Sequence, residues 1–331
     1  MTDISLTLAI EDYDHVRALT TGEIKPKGIE LTCLQFQVEE TFFRFANAYE
    51  WEVSELSLAK FCSLRSQNNS PVVGIPVFIS RMFRHSAFYI RSDGKIKTSE
   101  DLKGCRIGVP EWTQTATVYA RGWLHDEGGA KLNEVEWVQG GVNQAGRLEM
   151  GKTKVPKGIK ITPISDRSLS DLLLEGELDA IISARPPNVF LSGDGRLQRL
   201  MPNHREIELD YFRRTGVYPI MHTIAIKRNI YEKNPWIAVN LMTAFEEAKE
   251  KMIERMSDIN VSRIPLPWLP DTFEKTKSEF FPDCDYWPYG VEGSRETLET
   301  FLTYCYKQGV THKEMTPEDL FVPETLTSFK V

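Results

Sequence analysis

Apolar and polar residues alternate with a period of two over residues 4–10, which predicts a strand running into Glu11-Asp12-Tyr13-Asp14-His15. A second strand is predicted over 30–36. Over 39–49 the spacing turns helical, with Phe42, Phe43, Phe45 and Ala46 on one face. Val53-Ser54-Glu55-Leu56-Ser57 reads as a strand end turning into a helix over 58–64. The apolar run 72–79 reads as a buried strand, and Ala87-Phe88-Tyr89-Ile90 as another. Between these two strands lies Ser80-Arg81-Met82-Phe83-Arg84-His85. Two guanidinium groups and an imidazole are too costly to bury unpaired, so they need partners or a wet cleft.

A new unit begins near residue 95. A short capped helix is predicted over 98–104, a strand over 105–109, and a helix that opens at Pro110-Glu111-Trp112 and stops at Gly128-Gly129. Strands are predicted over 134–138 and 178–182, with a helix over 169–175 between them. The Lys- and Gly-rich stretch 151–158 reads as an exposed loop. The chain returns to the first unit around 211–227. Asn234-Pro235 then caps a helix whose apolar stripe is Ile237, Leu241, Ala244, Phe245, Ala248 and Met252. A last helix is predicted over 295–306. Strands alternating with helices predict an α/β fold with mostly parallel sheets. The division expected is one discontinuous lobe, 1–90 with 215–331, interrupted by a second, 91–214. That is the layout of a two-lobed clamshell with its ligand site in the cleft.

Composition narrows the function. The 331 residues suffice for two domains, and a net charge of −7 argues against nucleic acid as the main partner. A local arginine cluster still allows an anionic small molecule. No apolar run is long enough to span a membrane, and the N-terminal residues lack the pattern of a secretory signal. The five cysteines are scattered, which fits a reducing cytoplasm and neither a zinc site nor a disulfide framework. No H-x-x-H, Walker, dinucleotide-glycine or G-x-S-x-G pattern is present. No cofactor or compact metal motif is therefore expected, while a scattered metal site built from Glu55, His85 and His222 and a homo-oligomer are left open.

The chain resembles the bacterial 4,5-dihydroxyphthalate decarboxylase family, a cytoplasmic offshoot of the type II periplasmic binding proteins. The resemblance runs over nearly its whole length. It is carried by Glu39-Glu40…Phe43-Arg44, Val53-Ser54-Glu55-Leu56-Ser57, the run from Ile75 through His85, and Asp101-Leu102-Lys103-Gly104…Gly108-Val109-Pro110-Glu111. Further on it is carried by Gly140-Gly141…Gly146-Arg147, Arg213-Arg214-Thr215-Gly216…Pro219-Ile220-Met221-His222, Trp287-Pro288-Tyr289-Gly290 and Pro323-Glu324-Thr325-Leu326. It implies loss of CO2 from a dihydroxylated aromatic diacid, giving 3,4-dihydroxybenzoate. Each carboxylate of that diacid is para to a hydroxyl. The reaction thus needs a base at the phenol, an acid over the ring and cations for the carboxylates. The substrate is its own electron sink.

His85 and His222 are the candidate acid–base pair, the first favoured by its two arginine neighbours; a lone histidine is more often a structural hydrogen-bonding residue. His15 follows the first strand and approaches the same region, whereas His125, His204 and His312 are expected to be solvated. Glu55 is a candidate to orient a histidine or take a phenol proton, or else to cap the helix after it. Arg81, then Arg185, are the candidates for carboxylate capture, with Arg147 and Arg214 behind them. Arg84 would point to the opposite face from Arg81 and pair with Glu55 or Asp12. Trp112, Thr113, Gln114 and Thr115 open a helix whose free N–H groups suit an anion. Tyr13 and Ser57 are placed at the ligand site by analogy with the fold alone. Trp287 and Tyr289 read as packing around a turn. Two other functions fit the same pattern: a non-catalytic binding protein for an aromatic acid, and a lyase or dehydratase on another ring acid.

Overall fold

The computed structural model describes residues 3–147, 149, 153–282 and 285–327. Gly151 and Lys152 of the expected exposed loop, and Cys284, lie outside them. The described strands are β1 (Ile4–Ile10), β2 (Ile29–Gln35), β3 (Val53–Ser57), β4 (Val72–Arg81), β5 (Phe88–Arg91) and β6 (Arg106–Val109). They continue with β7 (Glu136–Gln139), β8 (Lys160–Pro163), β9 (Ala180–Ile182), β10 (Leu197–Arg199) and β11 (Ile220–Lys227). The chain divides into two compact units. Unit 1 is Met1–Arg81, Ile220–Leu298 and Met315–Val331; unit 2 is Met82–Pro219 and Glu299–Glu314.

Unit 1 is built on a five-stranded sheet of order β2-β1-β3-β11-β4. β1 is parallel to β2 and β3, and β11 runs antiparallel to both of its neighbours. β4 is buried over nearly its whole length, which explains its continuous apolar run. The helix Ile237–Ser257 buries Ile237, Leu241, Ala244, Phe245 and Ala248 of the expected stripe. It also buries Lys249.

Unit 2 has a six-stranded sheet of order β10-β5-β9-β6-β7-β8. β6 is parallel to β7 and β9, and β5 is the antiparallel member. Its core joins Tyr89, Val138, Leu169, Leu173 and Ile181. Both sheets are therefore mostly parallel with one reversed strand.

The division differs from the expected one at three places. Residues from Met82 onward already belong to unit 2, because β5 pairs with β9 and β10 of that sheet. Residues 211–219 stay in unit 2, because Tyr211 to Thr215 finish the helix His204–Thr215. Unit 2 also takes Glu299–Glu314, where Phe301 stacks on Tyr119 at 4.5 Å.

Gly74 on β4 shows how tightly unit 1 is filled. A Cβ there would lie 2.3 Å from Cζ of Phe61, a fully buried ring stacked on Phe321. Gly74→Ala is therefore expected to destabilise the protein by about 1–3 kcal/mol through overpacking. Equilibrium urea unfolding reads this directly, and an unchanged midpoint would mean that the Phe61 ring can yield.

Candidate active site

The register of β3 and β11 places the central pair. Glu55 lies opposite Ile224, and Ser57 opposite His222. His222 is thus the diagonal neighbour of Glu55 on the same face of the sheet, a spacing that long side chains can bridge. Here they do: His222 Nδ1 is 2.6 Å from Glu55 Oε1. Glu55 has no exposed surface, and His222 keeps 16 % of its side chain exposed. The carboxylate also accepts the phenol O–H of Tyr13 at 2.7 Å on Oε1 and the backbone N–H of Glu11 at 2.9 Å on Oε2. Because Glu55 is the acceptor in these contacts, Nδ1 of His222 carries the proton facing it. The Nε2 lone pair is left for other chemistry.

Around this pair the rings form a row. The Tyr13 hydroxyl is 3.3 Å from His222 Nδ1, and the Tyr13 ring lies 5.3 Å from His15. His15 is in turn 5.5 Å from Trp287, while Phe42 meets His222 edge-on at 4.9 Å. Burial and the Glu55 charge push the Tyr13 phenol well above its usual range, so it stays protonated and donates. Burial pushes His15 down to about 4, against its hydrogen bond with the Ile79 backbone.

A bulge in β4 fixes one side of this row. Between Ile75, opposite Ile224, and Ser80, opposite His222, β4 carries extra residues. Their carbonyls are used by other elements. Pro76 O accepts Gly290 N–H at 2.8 Å, and Phe78 O accepts the Trp287 indole N–H at 2.7 Å. Buried Lys249 holds Asp285 and the Trp287 carbonyl. Trp287 therefore packs at the turn, as expected, and also touches a ring of the site. Arg81 is buried next to the same turn: its Nη2 donates to Pro288 O and Ser294 Oγ, and the guanidinium lies over Phe78. Ser57 is half-buried and precedes the helix Leu58–Arg65.

The remaining candidates lie in unit 2. His85 is 4 % exposed, and both ring nitrogens are buried without a hydrogen-bond partner. Its ring meets Trp123 at 4.8 Å and Tyr211 at 5.1 Å, with the Glu208 carboxylate 3.9 Å from Nδ1. Glu55, expected to face Arg84, is taken up by Tyr13 and His222, and Asp12 accepts from Gln35. The carboxylate that acts on Arg84 is Glu208. Arg185 is exposed just beyond β9. Arg147 pairs with Glu111, and Arg214 with Glu127 and Asp210.

Trp112 to Thr115 lead into the helix Thr115–Asp126, with Gln114 as its N-cap. The N–H groups of Trp112 and Thr113 and the Thr113 hydroxyl all donate to one carboxylate, that of Glu149. Fully buried Arg121 lies 3.7 Å over the Trp112 ring and donates to the Trp112 carbonyl. Phe42, Trp287 and Glu149 were not among the candidates read from the sequence as site residues. Phe42 and Trp287 carry only an apolar signal, and Glu149 carries none. Among the described residues, no cluster of His, Cys, Asp and Glu side chains could hold a metal ion.

The His85–Glu208 contact has a pH signature. Burial first, then Arg214 and His204, push His85 down to about 4. The unfolded chain takes up that proton below about 6.5, so this group loses stability as pH falls from there to about 4. Burial raises Glu208 to about 7, against the pull of Arg199 and Arg84. Its contribution is lost in the opposite direction, as pH rises from about 4.5 to about 7. Relative to wild type, His85→Phe should make stability fall more steeply with rising pH between these limits. Glu208→Gln should do the reverse. Urea midpoints across that range measure both slopes, and identical slopes in all three proteins would refute the burial-driven shifts of His85 and Glu208.

No family model matches the chain. Among solved structures, it is similar to the periplasmic aliphatic sulphonate-binding protein SsuA from Escherichia coli, with a TM-score of 0.54 and 12 % identity over 97 % of this chain and 98 % of that one. A putative sulfonate-binding protein from Methylobacillus flagellatus gives 0.55 at 13 % identity, over 98 % and 93 %. The desulfurization enzyme DSZB gives 0.51 at 15 % identity, over 98 % and 97 %. These likenesses show the fold, that of the periplasmic binding proteins. In sequence, a 4,5-dihydroxyphthalate decarboxylase from Comamonas testosteroni is 32 % identical over 332 residues, covering 100 % of both chains. One from Pseudomonas putida is 36 % identical over 214 residues, covering 64 % of this chain and 83 % of the relative. With a full-length match of this kind on the expected fold, the chain belongs to the 4,5-dihydroxyphthalate decarboxylase family.

Proposed function

We propose that this protein is a carboxy-lyase that removes CO2 from 4,5-dihydroxyphthalate and releases 3,4-dihydroxybenzoate. The observation that carries the reading is the buried Glu55 carboxylate held 2.6 Å from His222 Nδ1. With Nδ1 committed to Glu55, Nε2 of His222 acts as the base on a ring hydroxyl, and Glu55 stabilises the imidazolium that forms. The phenolate pushes electrons to the para carbon, which takes up a proton from solvent water. The bond to the carboxylate then breaks, its electron pair returns to the ring, and CO2 leaves. Regaining the phenol proton completes the exchange of a carboxylate for hydrogen. Tyr13, protonated and fixed on Glu55, keeps the pair in register.

The Trp112–Thr113 backbone, which already binds one carboxylate, supports a carboxylate-holding role for the turn through Thr115. Arg185, exposed beyond β9, is proposed for the same role. Arg81 and Ser57 are proposed to act on the substrate side of unit 1 by holding the Pro288 turn and the β3 end. His85 is given no proton transfer, because both of its ring nitrogens are buried. The four described cysteines are free thiols, which supports a reducing cytoplasm as the compartment. No helix among the described residues is long and apolar enough to cross a membrane.

The purified protein, incubated with 4,5-dihydroxyphthalate, is expected to release CO2 and 3,4-dihydroxybenzoate in equal amounts without added cofactor. His222→Gln and Glu55→Gln should each lower kcat by roughly 10²-fold or more, and His85→Phe by less than about tenfold. Loss of turnover in His85→Phe alone, with His222→Gln active, would move the chemistry to unit 2. A stable complex without product would favour a binding protein, the reading to which the sulphonate-binding fold lends weight.

A further inference from the structure

Unit 2 contains a cavity of about 320 Å³ that none of the roles above uses. It opens between the end of the helix Thr115–Asp126, the loop before β8 and the helix Arg295–Lys307. Its walls are of two kinds. Leu132 and Tyr304 are buried apolar surface, and Ile159 is half-buried beside them. Lys157 and Lys307 line the same cavity and are exposed. Neither makes an ion pair among the described residues, unlike Lys103, which is held by Glu134 at 3.1 Å.

The acids nearby leave these lysines in excess. Asp126 lines the cavity as well and accepts the Tyr304 hydroxyl, so two lysines face one carboxylate there. Glu134 is taken by Lys103 and by the backbone N–H of Lys131 at 3.0 Å. Lys131 itself donates to the His125 carbonyl at 3.0 Å. His125, which the sequence placed in solvent, is half-buried, and its Nδ1 accepts the Leu132 N–H at 3.3 Å. In its neutral form the ring proton therefore sits on Nε2, so His125 adds a donor to the cavity. A cavity of this size, with an apolar wall, two unpaired ammonium groups and a neutral N–H donor, has the make-up of a small-ligand site.

We infer that this cavity is a second ligand site, for a single-ring aromatic carboxylate whose ring packs on Leu132, Ile159 and Tyr304 and whose carboxylate meets Lys157 and Lys307. The apolar wall is what separates this class from inorganic anions, which the lysines alone would also attract. The site is also wired to Trp112. Gln308 lines the cavity, accepts the Trp112 indole N–H at 2.8 Å on its backbone oxygen, and accepts Arg121 Nε at 2.9 Å on its side chain. Occupancy should therefore be visible in tryptophan fluorescence. The inference does not rest on the decarboxylase reading, since binding is measured without turnover.

The test is calorimetric titration of the full chain with benzoate, followed in parallel by tryptophan fluorescence. Wild type should bind benzoate saturably at a site that the double variant Lys157→Met/Lys307→Met weakens at least tenfold. Both lysines are exposed, so the variant should keep the wild-type urea midpoint. Leu132→Asn should weaken the same site while leaving both charges in place. An isotherm unchanged by the lysine variant would overturn the inference. So would inorganic phosphate displacing benzoate from this site at equal concentration, since that would make it a general anion site.

Discussion

The fully buried carboxylate of Glu55 is the constraint around which unit 1 is organised. A carboxylate without solvent must have its lone pairs met by donors, or burial costs several kcal/mol. The three donors come from two distant parts of the chain: the Glu11 backbone and the Tyr13 phenol just after β1, and the His222 ring on β11. They can converge only if β1 and β11 both flank β3, which is the observed order. The strand order that brings together the catalytic candidates thus also satisfies the charge. The same three donors fix the orientation of His222, because a ring bound through Nδ1 to an acceptor has one nitrogen left to work with.

Unit 2 holds a buried charge of the other sign. Arg121 is fully buried and is met by Trp112 O and Gln308 Oε1 rather than by a carboxylate. The faces of Trp112 and Trp137 lie 3.7 and 5.8 Å from its guanidinium. Burial lowers it to about 9, which still leaves it charged at neutral pH. This cation sits behind the turn whose N–H groups bind Glu149, and Glu149 acts on its charge. The hold of the turn on the Glu149 carboxylate therefore has two sources: the N–H groups of Trp112 and Thr113 just before the helix, and a buried cation in contact with Trp112.

Most of the strands and long helices were legible in the sequence, because each carries several buried apolar residues at its own period. The elements that were missed carry almost none. The helix His204–Thr215 buries Tyr211 alone, Leu269–Phe280 buries Phe273 alone, and β10 buries only Leu197 of three residues. That gap had a consequence at the site. Glu208, the carboxylate that acts on Arg84, lies on one of the unseen helices. Glu55, Tyr13 and His222 were each legible as candidates. Their union was not, because Glu55 and His222 are 167 positions apart and only the β3–β11 register joins them. The arginine neighbours that drew attention to His85 say nothing of the aromatic rings that enclose it.

The bulge in β4 shows how a shared fold becomes a particular site. The sulphonate-binding proteins share this architecture at 12–13 % identity, so the sheet order alone cannot specify chemistry. In this chain the detail that shapes the site is local. The bulge frees the carbonyls of Pro76 and Phe78, and these fasten Gly290 and the Trp287 indole. Trp287 then bounds the row of His15, Tyr13 and His222 from one end, and Phe42 from the other. Because its backbone and indole N–H groups and its carbonyl are all bonded, Trp287 is held by the Asp285 carboxylate, the Phe78 carbonyl and buried Lys249 rather than by loose side-chain packing. The base role proposed for Nε2 of His222 requires an imidazole held in one orientation, and the Glu55 contact at Nδ1 within this bounded row supplies that.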